Sequence, residues 1–509
     1  MALPVSVKSE TSHGPQYFRD VPCGERLPNS VHAVSVSMPT LADLMEYEQQ
    51  QPGALERIRS GYPRFHTHPY VVQIQEYLDD KLGLNGKPLL LLSSEKAMDS
   101  LNSYLNNAGQ SIQYQHLNGL IVPEELMERG RALRQHTGTH ISSRQAEDFL
   151  LREGLLESQQ PEESVTNESE ASVVQILKEA YEASSDEDVV LCNAGMNSVY
   201  TVFQAVNSFQ APKGKTIWIH FGWLFMDTMK LLEKLRLPNS DYHRVYDVFD
   251  LARLKALLSE HGAQVAGIIT ETPSNPLLKT PDVRELRLLA DQYDCALVID
   301  STLGTPWNID VLPYADIVIE SLTKYANGAA DLMMGAVVLN SLSRYYDELK
   351  PVLSHYSERP YERDIDRLAF QISRYAERMR KVNANACALV EFLTERKSVK
   401  RIYWAYQEES RANYEKIHRK PNSPGGMITL VLDKPLALVY DALKVAKGPS
   451  LGAEFTLVGP YLYHAHYDLV SSEQGRELLT SAGLHPELLR ISVGIEPIDD
   501  LIRAFSVVL

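Results

Sequence analysis

Residues 296–338 read ALVIDSTLGTPWNIDVLPYADIVIESLTKYANGAADLMMGAVV, and this stretch decides the fold. Its two short runs, Ala296–Asp300 and Ile317–Ser321, are rich in Val and Ile, are bounded by turn residues, and each end on a polar side chain. Runs of that kind suit parallel strands covered on both faces. Ligands of such sheets bind at the carboxyl ends of the strands. Asp300, Ser321, Thr323 and Lys324 all fall at that edge. An acid, two hydroxyls and a lysine brought together suit a cofactor that carries a ring nitrogen, a phosphate and an aldehyde.

Outward from this stretch the pattern is strand–helix alternation. Helix Val173–Ala183 leads to strand Asp188–Cys192, and the loop Asn193–Ser198 opens helix Val199–Ser208. Strand Thr216–His220, helix Asp227–Lys234, strand Ala266–Thr270 and helix Val283–Tyr293 follow. Repeated units of this length imply an α/β fold with a mostly parallel central sheet and right-handed crossovers. After Asn340 the character changes. A long helical segment, 361–397, precedes GGMITLVL, SLGAEFTLV and ELLRISVGI, which read as strands of a smaller α+β C-terminal domain closed by helix Ile498–Val507.

Upstream, residues 1–86 form an irregular N-terminal extension with Thr40 capping a helix, and Val71–Leu82 have helical spacing. Residues 87–169 look like an inserted α/β segment, with strands Leu89–Leu92 and Asn118–Val122 around helix Glu95–Asn107. The insert ends in QQPEESVTNESEAS, read as a mobile surface loop. The expected division is therefore 1–86, 87–169, a cofactor-binding domain over 170–345 and a C-terminal domain over 346–509.

Composition narrows the class. The chain has 509 residues, 44% hydrophobic and 23% charged, which suits a soluble protein of two or three domains. A net charge of −16 disfavours nucleic acid and anionic membrane as partners. The four cysteines are far apart with no CxxC, so neither a disulfide scaffold nor a zinc site is expected. His136 and His140 lie at i and i+4, but no HExxH motif is present and Gly138 interrupts the turn between them, so no metal is assigned. No run of some 18 apolar residues and no N-terminal leader is evident, and a cytoplasmic protein is the simplest account.

Pyridoxal 5'-phosphate asks four things of a protein. A lysine forms the Schiff base, and a carboxylate keeps the pyridine nitrogen protonated. Hydroxyls and backbone N–H groups at a helix N-terminus hold the phosphate. An arginine grips the substrate carboxylate. Lys324, Asp300 with Thr302, and Ser321 with Thr323 and the Gly195-Met196 helix start meet the first three.

The run SLTKYANGAADLMMGAVV resembles the lysine signature of the cystathionine γ-synthase family, pyridoxal-phosphate enzymes of cysteine and methionine metabolism. ETPSNPLLKTPDV, LVIDSTLGTP, GGMITLVL and LRISVGIEPIDDLI recur in that family in this order. VSVSMPTLADLMEYE and GYPRFHTHP, with the insert, further resemble its long fungal branch. The resemblance implies a fold type I transferase, aspartate-aminotransferase-like, in which Lys324 holds the cofactor and moves protons between substrate carbons. It implies that Asn275 touches the cofactor's phenolic oxygen and that Phe221 stacks on its ring. Arg490 would bind the α-carboxylate of an amino-acid substrate beside Ser450. Tyr62 and Arg64 would reach a neighbouring subunit's phosphate, which implies a homodimer or homotetramer with shared active sites.

Two departures from the family pattern, Gly328-Ala329-Ala330-Asp331 after the lysine and Glu454 in SLGAEF, are expected near the substrate end. The activity implied is γ-substitution on an O-acyl-L-homoserine with cysteine as nucleophile, giving cystathionine. A carbon nucleophile such as a β-keto acid or ester, in a secondary-metabolite pathway, is the alternative, and a cystathionine lyase is a third. A non-catalytic scaffold is least favoured, because Lys324, Asp300 and Arg490 are all intact.

Overall fold

The computed structural model describes residues 18–61, 66–238 and 240–509. Tyr62 and Arg64 lie outside the described residues. The central sheet has seven strands in the order Val189–Cys192, Gly335–Leu339, Ile317–Glu320, Ala296–Asp300, Val265–Glu271, Ile217–Phe221, Tyr242–Val245. Only Gly335–Leu339 runs antiparallel to its neighbours. Ala296–Asp300 and its two parallel partners are buried almost throughout, because helices cover both faces. The strands expected at Ala296–Asp300 and Ile317–Ser321 form to within a residue of those bounds, and the sheet gains two not expected, Tyr242–Val245 at one edge and the reversed Gly335–Leu339.

The C-terminal sheet orders Val399–Tyr403, Met427–Leu432, Leu488–Ser492, Leu457–Pro460 and Ala446–Lys447. SLGAEFTLV was expected to be a strand from its start, yet pairing begins only at Leu457. Ser450 and Gly452 hold φ of 87° and 77°, which breaks any strand there. A Cβ at Gly452 would lie 2.7 Å from the Tyr325 backbone nitrogen, so glycine is what lets this loop rest against the lysine turn.

The insert carries a three-stranded antiparallel sheet, Leu89–Leu92, Leu117–Ile121 and Gln110–Tyr114. Two helices the sequence reading left unassigned, Met127–Thr137 and Ser143–Arg152, tie it to the rest. The acidic stretch after them is anchored rather than free. Glu162 takes two bonds from the buried Arg144, at 2.8 and 2.6 Å, and Arg367 donates to the Glu163 carbonyl at 2.7 Å. Arg144 also reaches Asp364 and the carbonyl of Asp331. A buried guanidinium demands such partners, and they fix the loop.

The N-terminal extension is stitched to the same core. The Val34 amide donates to the Ala330 carbonyl, the Met38 amide to the Lys447 carbonyl, and the Ser35 hydroxyl to the Pro449 carbonyl beside Ser450. No helix among the described residues is long and apolar enough to cross a membrane.

Candidate active site

A cavity opens at the carboxyl edge of the central sheet, against the C-terminal domain. Gly195, Met196, Asn275, Asp300, Thr302, Ser321, Thr323, Lys324, Ser450 and Arg490 all line it. Gly195 and Met196 open a helix, Asp300 ends a strand, Thr302, Ser321, Thr323 and Lys324 follow strand ends, and Arg490 comes from the middle of strand Leu488–Ser492.

Asp300 ends its strand with a carboxylate oxygen that accepts the Thr302 amide at 2.9 Å. The Thr302 hydroxyl in turn accepts the Ser321 amide at 2.8 Å, locking the ends of adjacent strands together. Burial pushes the Asp300 pKa up, while the bonds from Thr302 oppose the rise. An anion short of solvation is what a protonated ring nitrogen would satisfy. Next to it in register, Glu271 is raised well above the carboxylate range, first by burial and then by the Asp300 charge.

Helix Gly195–Gln210 opens with Gly195, where a Cβ would come within 2.8 Å of the Ser321 hydroxyl. The bare backbone leaves a cradle between helix N-terminus and hydroxyl that suits a phosphate. Thr323 completes that wall, with its hydroxyl held by the Met334 backbone at 3.2 Å.

Lys324 Nζ donates to the Ser450 hydroxyl at 2.9 Å. Arg490, only 8% exposed, reaches the Ser450 carbonyl at 2.8 Å and Asn275 Oδ1 at 3.4 Å, with its guanidinium 4.8 Å from the Tyr461 ring centre. These contacts orient the arginine at the cavity wall, where a guanidinium can grip a carboxylate. The donor set fits pyridoxal phosphate at both its ends.

One assignment needs correction. Phe221 does not reach the cavity: it is fully buried in the same core cluster as Ile217, Ile219, Val245 and Val248. Phe221 shares a strand face with Ile217 and Ile219, and both faces of this strand are buried. The phenylalanine that lines the cavity is Phe225, at the cap of helix Met226–Lys234, and its amide donates to the Glu271 carboxylate. The run FGWLF held both phenylalanines; only the second stands at the helix start.

The departures Gly328–Asp331 and Glu454 do not line the cavity either. The Glu454 amide bonds the Gly328 carbonyl at 2.7 Å and its carboxylate takes Arg378 Nε at 2.9 Å, while Asp331 pairs with Arg367 at 2.7 Å. They tie the lysine turn and the Glu454 loop to helices Glu362–Ile372 and Tyr375–Thr394 instead. Conversely, Gln135, Gly138 and His140 of the insert border the cavity, as do Met333, Tyr461 and His464, none of which the sequence reading connected with the site.

A lysine, an acid and a phosphate cradle at this edge of a seven-stranded sheet define a pyridoxal-phosphate enzyme of fold type I. Residues 169–509 match the family described as Cys/Met metabolism PLP-dependent enzymes, and the chain belongs to that family. Over 473 residues it is 46% identical to the L-2-amino-4-chloropent-4-enoate dechlorinase/desaturase of Streptantibioticus cattleyicolor, covering 92% of this chain and 94% of that protein. A cystathionine γ-synthase of Neurospora crassa is 37% identical over 326 residues, 63% of this chain and 51% of that one. Cystathionine γ-synthase from Xanthomonas oryzae pv. oryzae, solved with cystathionine, shares the fold with a TM-score of 0.57 at 24% identity, over 66% of this chain and 84% of that one.

Proposed function

We propose that this protein expels a leaving group from the γ-carbon region of an L-α-amino acid that carries a single carboxylate. The observation behind this reading is the charge of the cavity. Among its described lining residues the cationic side chains are Lys324 and Arg490. Arg490 serves the α-carboxylate, and Lys324 serves the cofactor. A second substrate carboxylate would face Leu303, Met333, Pro449 and Leu451, and burying it unpaired costs several kcal/mol. The similarity to a dechlorinase/desaturase over nearly the whole chain supports the same reading, since a chloroalkenyl side chain suits an apolar wall.

Bound pyridoxal phosphate supplies the electron sink that stabilises negative charge beside the substrate nitrogen. Arg490 fixes the substrate carboxylate and so aims the α C–H at the lysine. Lys324 Nζ takes the α proton and delivers it further along the side chain, and the Ser450 hydroxyl, 2.9 Å away, steers that amine. Asp300 holds a proton at the ring nitrogen. Phe225 adds an aromatic face to the cavity wall.

A second reading, γ-replacement on an O-acyl-L-homoserine with cysteine or a carbon acid, is favoured by the 37% match to a cystathionine γ-synthase. Incubating the purified protein with L-2-amino-4-chloropent-4-enoate, and separately with O-acetyl-L-homoserine with and without cysteine, separates the two. Chloride release without added nucleophile is expected. Cystathionine formed only with cysteine would favour the second reading, and no leaving group from either substrate would reject both. Shared active sites in a dimer or tetramer, through Tyr62 and Arg64, belong to the same proposal; a fully active monomer by light scattering would remove them.

A further inference from the structure

Helix Met127–Thr137 of the insert ends on Gly138, whose φ of 65° turns the chain back across the opening of helix Gly195–Gln210. The fit is close: a Cβ at Gly138 would lie 2.7 Å from the Asn197 amide nitrogen and 3.2 Å from the Ala194 methyl. Side chains of the phosphate loop hold the turn. Asn197 donates to the Thr137 carbonyl at 3.2 Å and Asn193 to the His140 carbonyl at 3.4 Å. Behind it, the Ser93 amide donates to the Thr139 carbonyl at 3.0 Å.

His140 thereby becomes part of the cavity wall that also contains Ala194, Gly195, Ser321 and Thr323. Its Nδ1 is shielded from solvent and has no hydrogen-bond partner in the protein. With Nδ1 enclosed by protein, Nε2 is the nitrogen left open to a ligand, on a residue that shares a wall with the phosphate cradle. The ligand's chemistry follows from the wall. Backbone amides and two hydroxyls gather at this end, while Arg490 is engaged with Asn275, Ser450 and Tyr461. Among the described lining residues the imidazole adds a ring N–H donor to those hydroxyls.

We propose that His140 is a ligand of the cofactor phosphate, supplied by the inserted segment of the same chain. Burial holds the free imidazole neutral, with its pKa pushed down to about 3, so it meets the phosphate as a hydrogen-bond donor from one nitrogen. The insert thus has a role in the site: it carries a phosphate ligand across the helix N-terminus.

The test compares the phosphorylated cofactor with the same molecule lacking phosphate. Full-length holoenzyme is stripped with a carbonyl scavenger and titrated with pyridoxal phosphate or with pyridoxal, and binding is followed by visible absorption. His140→Phe, which keeps a ring and removes both nitrogens, is expected to weaken pyridoxal phosphate binding about tenfold or more, the worth of one charge-assisted hydrogen bond. Its affinity for pyridoxal should change less than about twofold on the same scale. His140→Gln, which retains an N–H donor, should recover much of the loss. Equal weakening for both ligands would mean a structural role and overturn the proposal, as would no weakening for either. A second measurement needs no variant: imidazole 15N spectra of the wild-type protein should differ between the pyridoxal and pyridoxal phosphate complexes at His140, and identical spectra would also overturn it.

Discussion

Lys324 Nζ donates to the hydroxyl of Ser450 at 2.9 Å, and Ser450 holds that hydroxyl in place from a backbone φ of 87°. L side chains rarely adopt this conformation, and it costs on the order of 1–3 kcal/mol. The strain is sustained by the Ser35 hydroxyl on the Pro449 carbonyl and by Arg490 on the Ser450 carbonyl. Stability and catalysis should therefore move in opposite directions at this position. Ser450→Gly is expected to raise the unfolding free energy by about 1 kcal/mol. It should lower kcat about tenfold, the worth of one hydrogen bond to the lysine. Ser450→Ala should lose the same activity without the gain in stability. Denaturant unfolding and steady-state kinetics on both variants check this; full activity in Ser450→Gly would show that the hydroxyl is idle.

The two phenylalanines of FGWLF should separate cleanly. Phe221 is fully buried in the core, so Phe221→Ala is expected to cost about 3–5 kcal/mol of stability. Phe225 lines the cavity, and Phe225→Ala should instead weaken cofactor binding about tenfold, as loss of an aromatic contact does. Thermal unfolding and cofactor titration distinguish them. The reversed pattern would restore Phe221 as the stacking residue.

Arg490 is aimed by Asn275, Ser450 and Tyr461. Lysine cannot reproduce a bidentate grip on a carboxylate, so Arg490→Lys should raise KM for the amino-acid substrate about tenfold or more. The cofactor's absorption spectrum should stay unchanged. A shifted spectrum with unaltered KM would place the arginine on the cofactor instead.

Glu320 lies fully buried at the end of its strand, with the Tyr181 and Tyr375 hydroxyls each donating to its carboxylate at 2.6 Å. Burial pushes its pKa from 4.5 up to about 7, against the pull of the two tyrosines, and the Asp300 charge adds to the rise. The folded state thus holds this proton more tightly than the unfolded chain. The stability this provides is complete below about pH 4.5 and is lost as pH rises through about 7, a change on the order of 3 kcal/mol. Glu320→Gln removes the ionisation while keeping the volume. Unfolding free energies between pH 5 and 8 should fall more steeply for wild type than for the variant, and parallel curves would mean that the carboxyl titrates normally.

What the amino-acid sequence determined by itself was local and periodic. Val- and Ile-rich runs ending in polar residues located the parallel strands, because a strand buried on both faces must be apolar along its length. The strand ends then located Asp300, Ser321 and Lys324, because the edge of a parallel sheet is where a chain can turn polar. Those residue types together pointed to the cofactor, and resemblance added Arg490 and Asn275. Tertiary structure alone decided which of two nearby aromatics faces the cavity, since helices bury both faces of the strand that holds Phe221 and the cap of the next helix presents Phe225. It also decided that Gly328–Asp331 and Glu454 hold the lysine turn to helices Glu362–Ile372 and Tyr375–Thr394 and that Gln135 and His140 border the cavity. Those relations join residues far apart in the chain, through buried pairs such as Arg378 with Glu454 and close contacts such as Gly138 on Asn197. No periodicity records them, because each depends on where two separately folded elements come to rest against one another.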